Sequence, residues 1–197
     1  MKMYYRGISL SKLREIQDRY TDLMPNVESG VTEIIEFKKD STEAQWIIEN
    51  ILPDVEKYTG RKHEFHRAVI FGQGPNSHPI EHVDGFWPPK PDAITWSLNI
   101  PVKNCEQGEM LWWGGEFDIT VIPNAPDYDG GFKPETRTDV TKLNSLQLIW
   151  HGDKYLIDRV IVNEPTIVKV DVPHQVINNS DKVRMLLAVR FTPNLII

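Results

Sequence analysis

Val183-Arg-Met-Leu-Leu-Ala-Val-Arg-Phe191 is a nine-residue run with no Gly, Pro, Asn or Asp inside it. In an extended strand, alternate residues point to opposite faces. Val183, Met185, Leu187, Val189 and Phe191 then make one apolar face, and Arg184, Leu186, Ala188 and Arg190 make the other. Both faces are apolar enough to be largely buried. A guanidinium on such a face is costly without an anion beside it, and its planar fork suits a carboxylate bidentately. The anion beside Arg184 is either an Asp or Glu of the chain or a bound carboxylate. Arg190 shares the face six residues on, where a structural or rim role is the simpler reading and anion binding the second.

Working back from this strand, the chain from His63 onward consists of short runs rich in β-branched and aromatic residues, punctuated by Gly, Pro, Asn and Asp. Strands are predicted at 64–71, 78–84, 93–102, 109–113, 117–122, 145–150, 155–162, 166–170, 175–177 and 183–191. His151-Gly-Asp-Lys154 reads as a hairpin turn between two of them. So many short strands point to a sandwich or jelly roll and away from a parallel α/β sheet. The segment 114–145 reads as a loop insertion with weak strand character around Asn-Ala-Pro-Asp and Asp-Gly-Gly, the type of segment that often forms a lid. Residues 1–62 read as helical support: one helix from Ser9 to about Tyr20, and another opened by a capping box at Ser41-Thr42-x-x-Gln45, with Pro53 dividing it before Tyr58.

A length of 197 residues fits one domain with a core of its own. No apolar run approaches the roughly 18 residues that span a bilayer, so no membrane segment is expected. The start, MKMYYRGISL, lacks a secretory pattern, and the lone Cys105 cannot form an internal disulfide, which points to the reducing cytoplasm. A net charge of −6 without a basic block disfavours nucleic acid as a partner. A small-molecule or peptide substrate, handled by a monomer or homodimer, is expected instead.

His82-x-Asp84 stands in one of the predicted strands, and its i, i+2 spacing puts both side chains on one face. By itself the triplet reads equally well as a surface hydrogen bond at a strand end. His174 follows Asp171-Val-Pro173, and Arg184 comes ten residues after it. Two imidazoles and one carboxylate are the set that holds iron(II) on one octahedral face and leaves three positions open.

In order and spacing, His82-x-Asp84, His174 and Arg184 resemble the non-haem iron(II), 2-oxoglutarate-dependent oxygenases. The resemblance runs from His63 to Phe191 and includes Ile94-Thr-Trp-Ser-Leu-Asn-Ile-Pro-Val102 and Gln107-Gly-Glu-Met110. It implies a double-stranded β-helix with the N-terminal helices packed on one sheet. His82, Asp84 and His174 would be the metal ligands and carry catalysis. Arg184 would bind the distal carboxylate of 2-oxoglutarate, with Ser97, Met110 and Val176 close to the same co-substrate. Iron(II), 2-oxoglutarate and O2 would together hydroxylate a substrate, releasing succinate and carbon dioxide. Related halogenases carry a small residue in place of this carboxylate, so Asp84 favours hydroxylation. Prolyl-hydroxylase-like members often place a tyrosine near Ser97 and a glycine at the position of Gln107, and this chain does neither.

Phe86, Trp87, Trp112 and Trp113 are candidates for a substrate wall, with core packing the commoner role of such residues. Strand parity puts only one of Trp112 and Trp113 inside. His78 is a rim candidate, whereas His63, His66 and His151 show no ligand-like pairing, and Cys105 reads as a small buried residue. Two other readings remain at this level: a cupin-like metal-binding isomerase, which would usually supply His-x-His, and a non-catalytic jelly-roll binding protein.

Overall fold

A computed structural model of the chain describes residues 3–84, 94–121, 138–139 and 146–195. In chain order the elements are β1 (Tyr5–Gly7), α1 (Leu13–Tyr20), β2 (Thr32–Phe37), α2 (Thr42–Asn50), α3 (Leu52–Thr59), β3 (Glu64–Gln73), β4 (Trp96–Lys103) and β5 (Gly108–Gly114). They continue with β6 (Phe117–Val121), β7 (Thr138–Asp139), β8 (Leu146–Trp150), β9 (Tyr155–Ile161), β10 (Thr166–Lys169), β11 (His174–Asn178) and β12 (Arg184–Thr192).

Strand β12 lies at the centre of a large sheet of order β1-β10-β4-β12-β3-β2-β7, antiparallel to both β3 and β4. A smaller sheet has the order β11-β5-β9, and β6 pairs separately with β8. Met185, Leu187, Val189 and Phe191 pack with Leu98 and Ile100 against Ile16, Tyr20, Ile47, Ile51 and Val55 of the helical layer. The opposite face of β12, through Leu186 and Ala188, packs with Met110 and Trp112 of the smaller sheet. The alternation in 183–191 thus separates two cores, one under the helices and one between the sheets. The fold is mostly β, a double-stranded β-helix with N-terminal helices packed on one sheet.

Local chemistry sets the helix ends. Ser41 caps α2, its Oγ accepting from the Ala44 N–H at 3.1 Å. The expected box is not closed, because the third helical position is Ala44; Gln45 donates instead to the Lys39 carbonyl. Pro53 falls in the first turn of α3, where its missing N–H is tolerated, so the chain breaks into α2 and α3 there.

Three expectations change. The first 62 residues are not only helical, since they also supply β1 and β2. The segment 78–84 is not a strand: the chain meets β11 only at the isolated bridges Ser77↔Asn178 and His82↔His174. Five steps on one side match four on the other, and Pro79 between them has no N–H to give a ladder. Residues 151–154 do turn, with Gly152 at φ 90°, but β8 and β9 pair with β6 and β5 respectively, so they form no hairpin with each other. Of the 114–145 insertion, β6 and β7 are seen, and the remainder of it lies outside the described residues, as do Gly85, Phe86 and Trp87. Among the described residues, no helix is long and apolar enough to cross a membrane.

Candidate active site

His82 and His174 face each other across an antiparallel pair in which each backbone N–H donates to the other's carbonyl at 2.9 Å. That pairing puts the two side chains on one face, with ring centroids 4.4 Å apart. Two residues on, the Asp84 N–H donates to the Val170 carbonyl at 2.8 Å, which holds its carboxylate near the same point. One ligand atom from each of His82, Asp84 and His174 lies within 4.8 Å of the other two, and His82 Nε2 is 3.6 Å from Asp84 Oδ1. Such a cluster of three lone-pair donors is a candidate metal centre.

The imidazoles are oriented for ligation. His174 Nδ1 hydrogen-bonds the Val172 carbonyl at 2.9 Å, and His82 Nδ1 the Ile80 carbonyl at 3.2 Å. A carbonyl only accepts, so each Nδ1 carries the proton and each Nε2 keeps its lone pair. Burial, with His82 beside it, lowers the His174 imidazole to about 4, against an opposing pull from Asp84. It is neutral at pH 7, the form that binds a metal. Burial works to raise the Asp84 carboxyl, but Arg190 first, then His174, His82 and Arg67, hold it well below the ordinary carboxylate range.

Arg190, expected in a structural or rim role with anion binding second, is paired with Asp84: its Nη2 donates to Asp84 Oδ2. Across the sheet Arg190 lies opposite Arg67, which pairs with Glu36 at 3.2 Å.

Arg184, at the other end of β12, is 1% exposed. Its Nη1 donates to Gln73 Oε1 at 2.5 Å, and Gln73 Nε2 in turn donates to the Val176 carbonyl at 2.8 Å. Gln73 is therefore a fixed strut between the sheets. Arg184 Nε and Nη2 are buried without a hydrogen-bond partner among the described residues. These two atoms form the side-on edge of the guanidinium, which presents two parallel N–H donors to a carboxylate. No Asp or Glu among the described residues is paired with Arg184. Burial lowers its guanidinium, with Cys105 opposing, yet an arginine remains charged. Gln73 was not singled out from the sequence and Gly108 only as part of Gln107-Gly-Glu-Met110; the register of β3 on β12 reveals the first, and packing of one sheet on the other the second.

The remaining candidates sit on the walls between the sheets. Ser97 is 1% exposed, shares its face with Asn99 and donates to Asn99 Oδ1 at 2.9 Å. Met110 and Val176 are register partners on β5 and β11, packed in the inter-sheet core. Trp112 is fully buried there, stacked on Tyr5 at 5.7 Å and donating to the Lys169 carbonyl, while Trp113 points outward to Lys154. Cys105 is 3% exposed, and His63 is engaged by Thr59 and the Pro193 carbonyl, both structural placements.

No protein-family model matches the sequence, and no curated protein matches it significantly. Solved structures do match in fold. The non-heme alpha ketoglutarate dependent carbocyclase SnoK from nogalamycin biosynthesis aligns over 95% of this chain and 78% of its own, at 13% identity and a TM-score of 0.51. A 2OG-Fe(II) oxygenase-family oxidoreductase from Burkholderia pseudomallei aligns over 91% and 76%, at 12% identity and a TM-score of 0.46. HygX from Streptomyces hygroscopicus, solved with nickel and 2-oxoglutarate bound, aligns over 94% and 80%, at 10% identity and a TM-score of 0.46. The likeness is one of fold. Within that fold, the clustered His82-x-Asp84 and His174 fit the His-x-Asp…His motif of the non-haem iron(II), 2-oxoglutarate oxygenases.

Proposed function

We propose that the protein is an iron(II)- and 2-oxoglutarate-dependent dioxygenase that hydroxylates a small-molecule or peptide substrate, with release of succinate and carbon dioxide. The observation that carries this reading is the buried Arg184, whose Nε and Nη2 edge meets no carboxylate and no geometric hydrogen-bond partner among the described residues, with only the Cys105 thiol beside the guanidinium. An unpaired buried guanidinium is costly, and a bound carboxylate offsets that cost. The donor set fits iron as well: two imidazoles and one carboxylate.

His82 Nε2, His174 Nε2 and Asp84 would hold the metal, and Arg184 would hold the distal carboxylate of 2-oxoglutarate. Iron with its co-substrate supplies the oxygen-activating chemistry. The chain's own residues do the positioning. The carbonyls of Ile80 and Val172 keep each Nε2 aimed at one point. Gln73 holds Arg184 by Nη1 and leaves the side-on edge for the carboxylate. Ser97, Met110 and Val176 would border the co-substrate. Trp112, packed against Tyr4 and Tyr5, seals the layer between the sheets and excludes water.

Turnover without added substrate tests the reading. Iron(II), 2-oxoglutarate and air should yield succinate at a slow rate that depends on all three. Absence of succinate from well-folded, iron-bound protein, with or without candidate substrates, would count against it. Candidates that raise the rate then narrow the substrate.

A further inference from the structure

Arg190 lies six residues beyond Arg184 on β12, and the register partners Gln73 and Arg67 show that both point between the sheets. Its side chain is 17% exposed and donates to Asp84 Oδ2, while the other oxygen, Oδ1, faces His82 Nε2 at 3.6 Å. The carboxylate is thus divided: one oxygen for the guanidinium and one toward the imidazoles. Glu36 pairs with the neighbouring Arg67 at 3.2 Å, so the two cross-strand guanidiniums each have a carboxylate. A ladder Glu36, Arg67, Arg190, Asp84 runs across three strands of the large sheet to the metal centre.

A carboxylate beside a divalent metal can bind through one oxygen or two. Binding through two would occupy one of the three positions that this donor set otherwise leaves open. The ion pair with Asp84 offsets the positive charge of Arg190 beside the candidate metal centre, and it fixes which oxygen of the carboxylate the guanidinium takes.

We propose that Arg190 is a positioning residue of the metal centre: by holding Oδ2 it confines Asp84 to one-oxygen ligation and aims Oδ1 at the point shared with His82 and His174. The inference rests on the reading of this triad as a metal site. Outer partners of ligating side chains typically change metal affinity 10- to 100-fold when removed.

The test uses cobalt(II) alone, without co-substrate, titrated anaerobically into the full chain. Its visible spectrum reports coordination number and geometry. Arg190→Gln should bind cobalt(II) about 10- to 100-fold more weakly and with an altered spectrum, and Arg190→Lys, which keeps the charge and one donor, should recover part of both. Parental affinity and spectrum in Arg190→Gln would overturn the role of Arg190 alone. Failure of the parent chain to bind cobalt(II) would overturn the metal reading and this inference with it. Should Arg190→Gln not fold, Arg190→Lys decides: an unchanged spectrum and affinity overturn the proposal, and a severalfold loss with an altered spectrum supports it.

Discussion

Gly108 on β5 packs so closely on Arg184 of β12 that a Cβ at residue 108 would lie 2.1 Å from Arg184 Nε and 2.4 Å from its Cδ. The smaller sheet therefore gives up a side chain where the larger one buries a guanidinium. Gly108→Ala should push Arg184 off its position. Overpacking of this type typically destabilises by about 1 to 3 kcal/mol. The expected outcome is a lowered melting temperature together with weaker 2-oxoglutarate binding by calorimetry. Unchanged co-substrate affinity would show that the close approach is not needed for the anion site.

Gln73 offers a sharper test, because its Oε1 already accepts from Arg184 Nη1 at 2.5 Å. Gln73→Glu puts a carboxylate where the amide oxygen stands. The chain would then neutralise Arg184 internally, and 2-oxoglutarate binding should fall at least tenfold while the melting temperature of the ligand-free protein holds or rises. A Glu variant that binds 2-oxoglutarate as the parent does would be hard to reconcile with Arg184 as its anchor.

Replacing the arginine itself separates function from stability. Arg184→Met removes a buried charge for which the described residues supply no counter-ion, and well-packed apolar replacements of buried charges are often neutral or stabilising. The ligand-free variant should melt at or above the parent. Its 2-oxoglutarate affinity should drop by about 2 to 5 kcal/mol, the usual cost of truncating one partner of a buried charge pair, whereas metal affinity should stay within a few-fold. Equal loss of metal and co-substrate binding would mean that the two sites are not distinct.

Much of this was legible in advance because it depends on strand parity. The alternation in 183–191 puts Arg184 and Arg190 on one face and Leu187 and Val189 on the other, and the structure turns the second face to the helices and the first to the smaller sheet. The i, i+2 spacing of His82 and Asp84 likewise brings them together, although their segment is tied to β11 at isolated bridges and not in a ladder. Strand β2 was hidden because adjacent Ile34 and Ile35 are both buried, one on each face, which breaks the period of two and mimics a helix. The partners of Arg190, Gln73 and Gly108 were not legible for a different reason: they are 103 to 111 residues away or on the opposite sheet, and nothing local encodes which strands and sheets will meet.

The fold's response to acid follows from His174. Its folded value of about 4 lies below its ordinary 6.5, so between those values the unfolded chain holds the proton more tightly. Stability is complete above about pH 6.5 and is lost as pH falls toward 4. Asp84 adds a loss of the same sign below its ordinary 3.8, since its folded value is depressed. Urea midpoints of the metal-free protein should decline from pH 6.5 to 4.5. A flat profile there would mean that His174 is not held neutral by burial.

The central claim is that iron and 2-oxoglutarate meet in one site, with His82, Asp84 and His174 on one side and Arg184 on the other. Anaerobic titration of 2-oxoglutarate into the iron(II)-loaded protein tests this most directly, by following the visible charge-transfer band that appears only when the co-substrate chelates the metal. The band should grow to saturation at one equivalent per chain and require a much higher concentration in Arg184→Met. No band at any concentration, in protein shown to hold iron(II), would contradict the account.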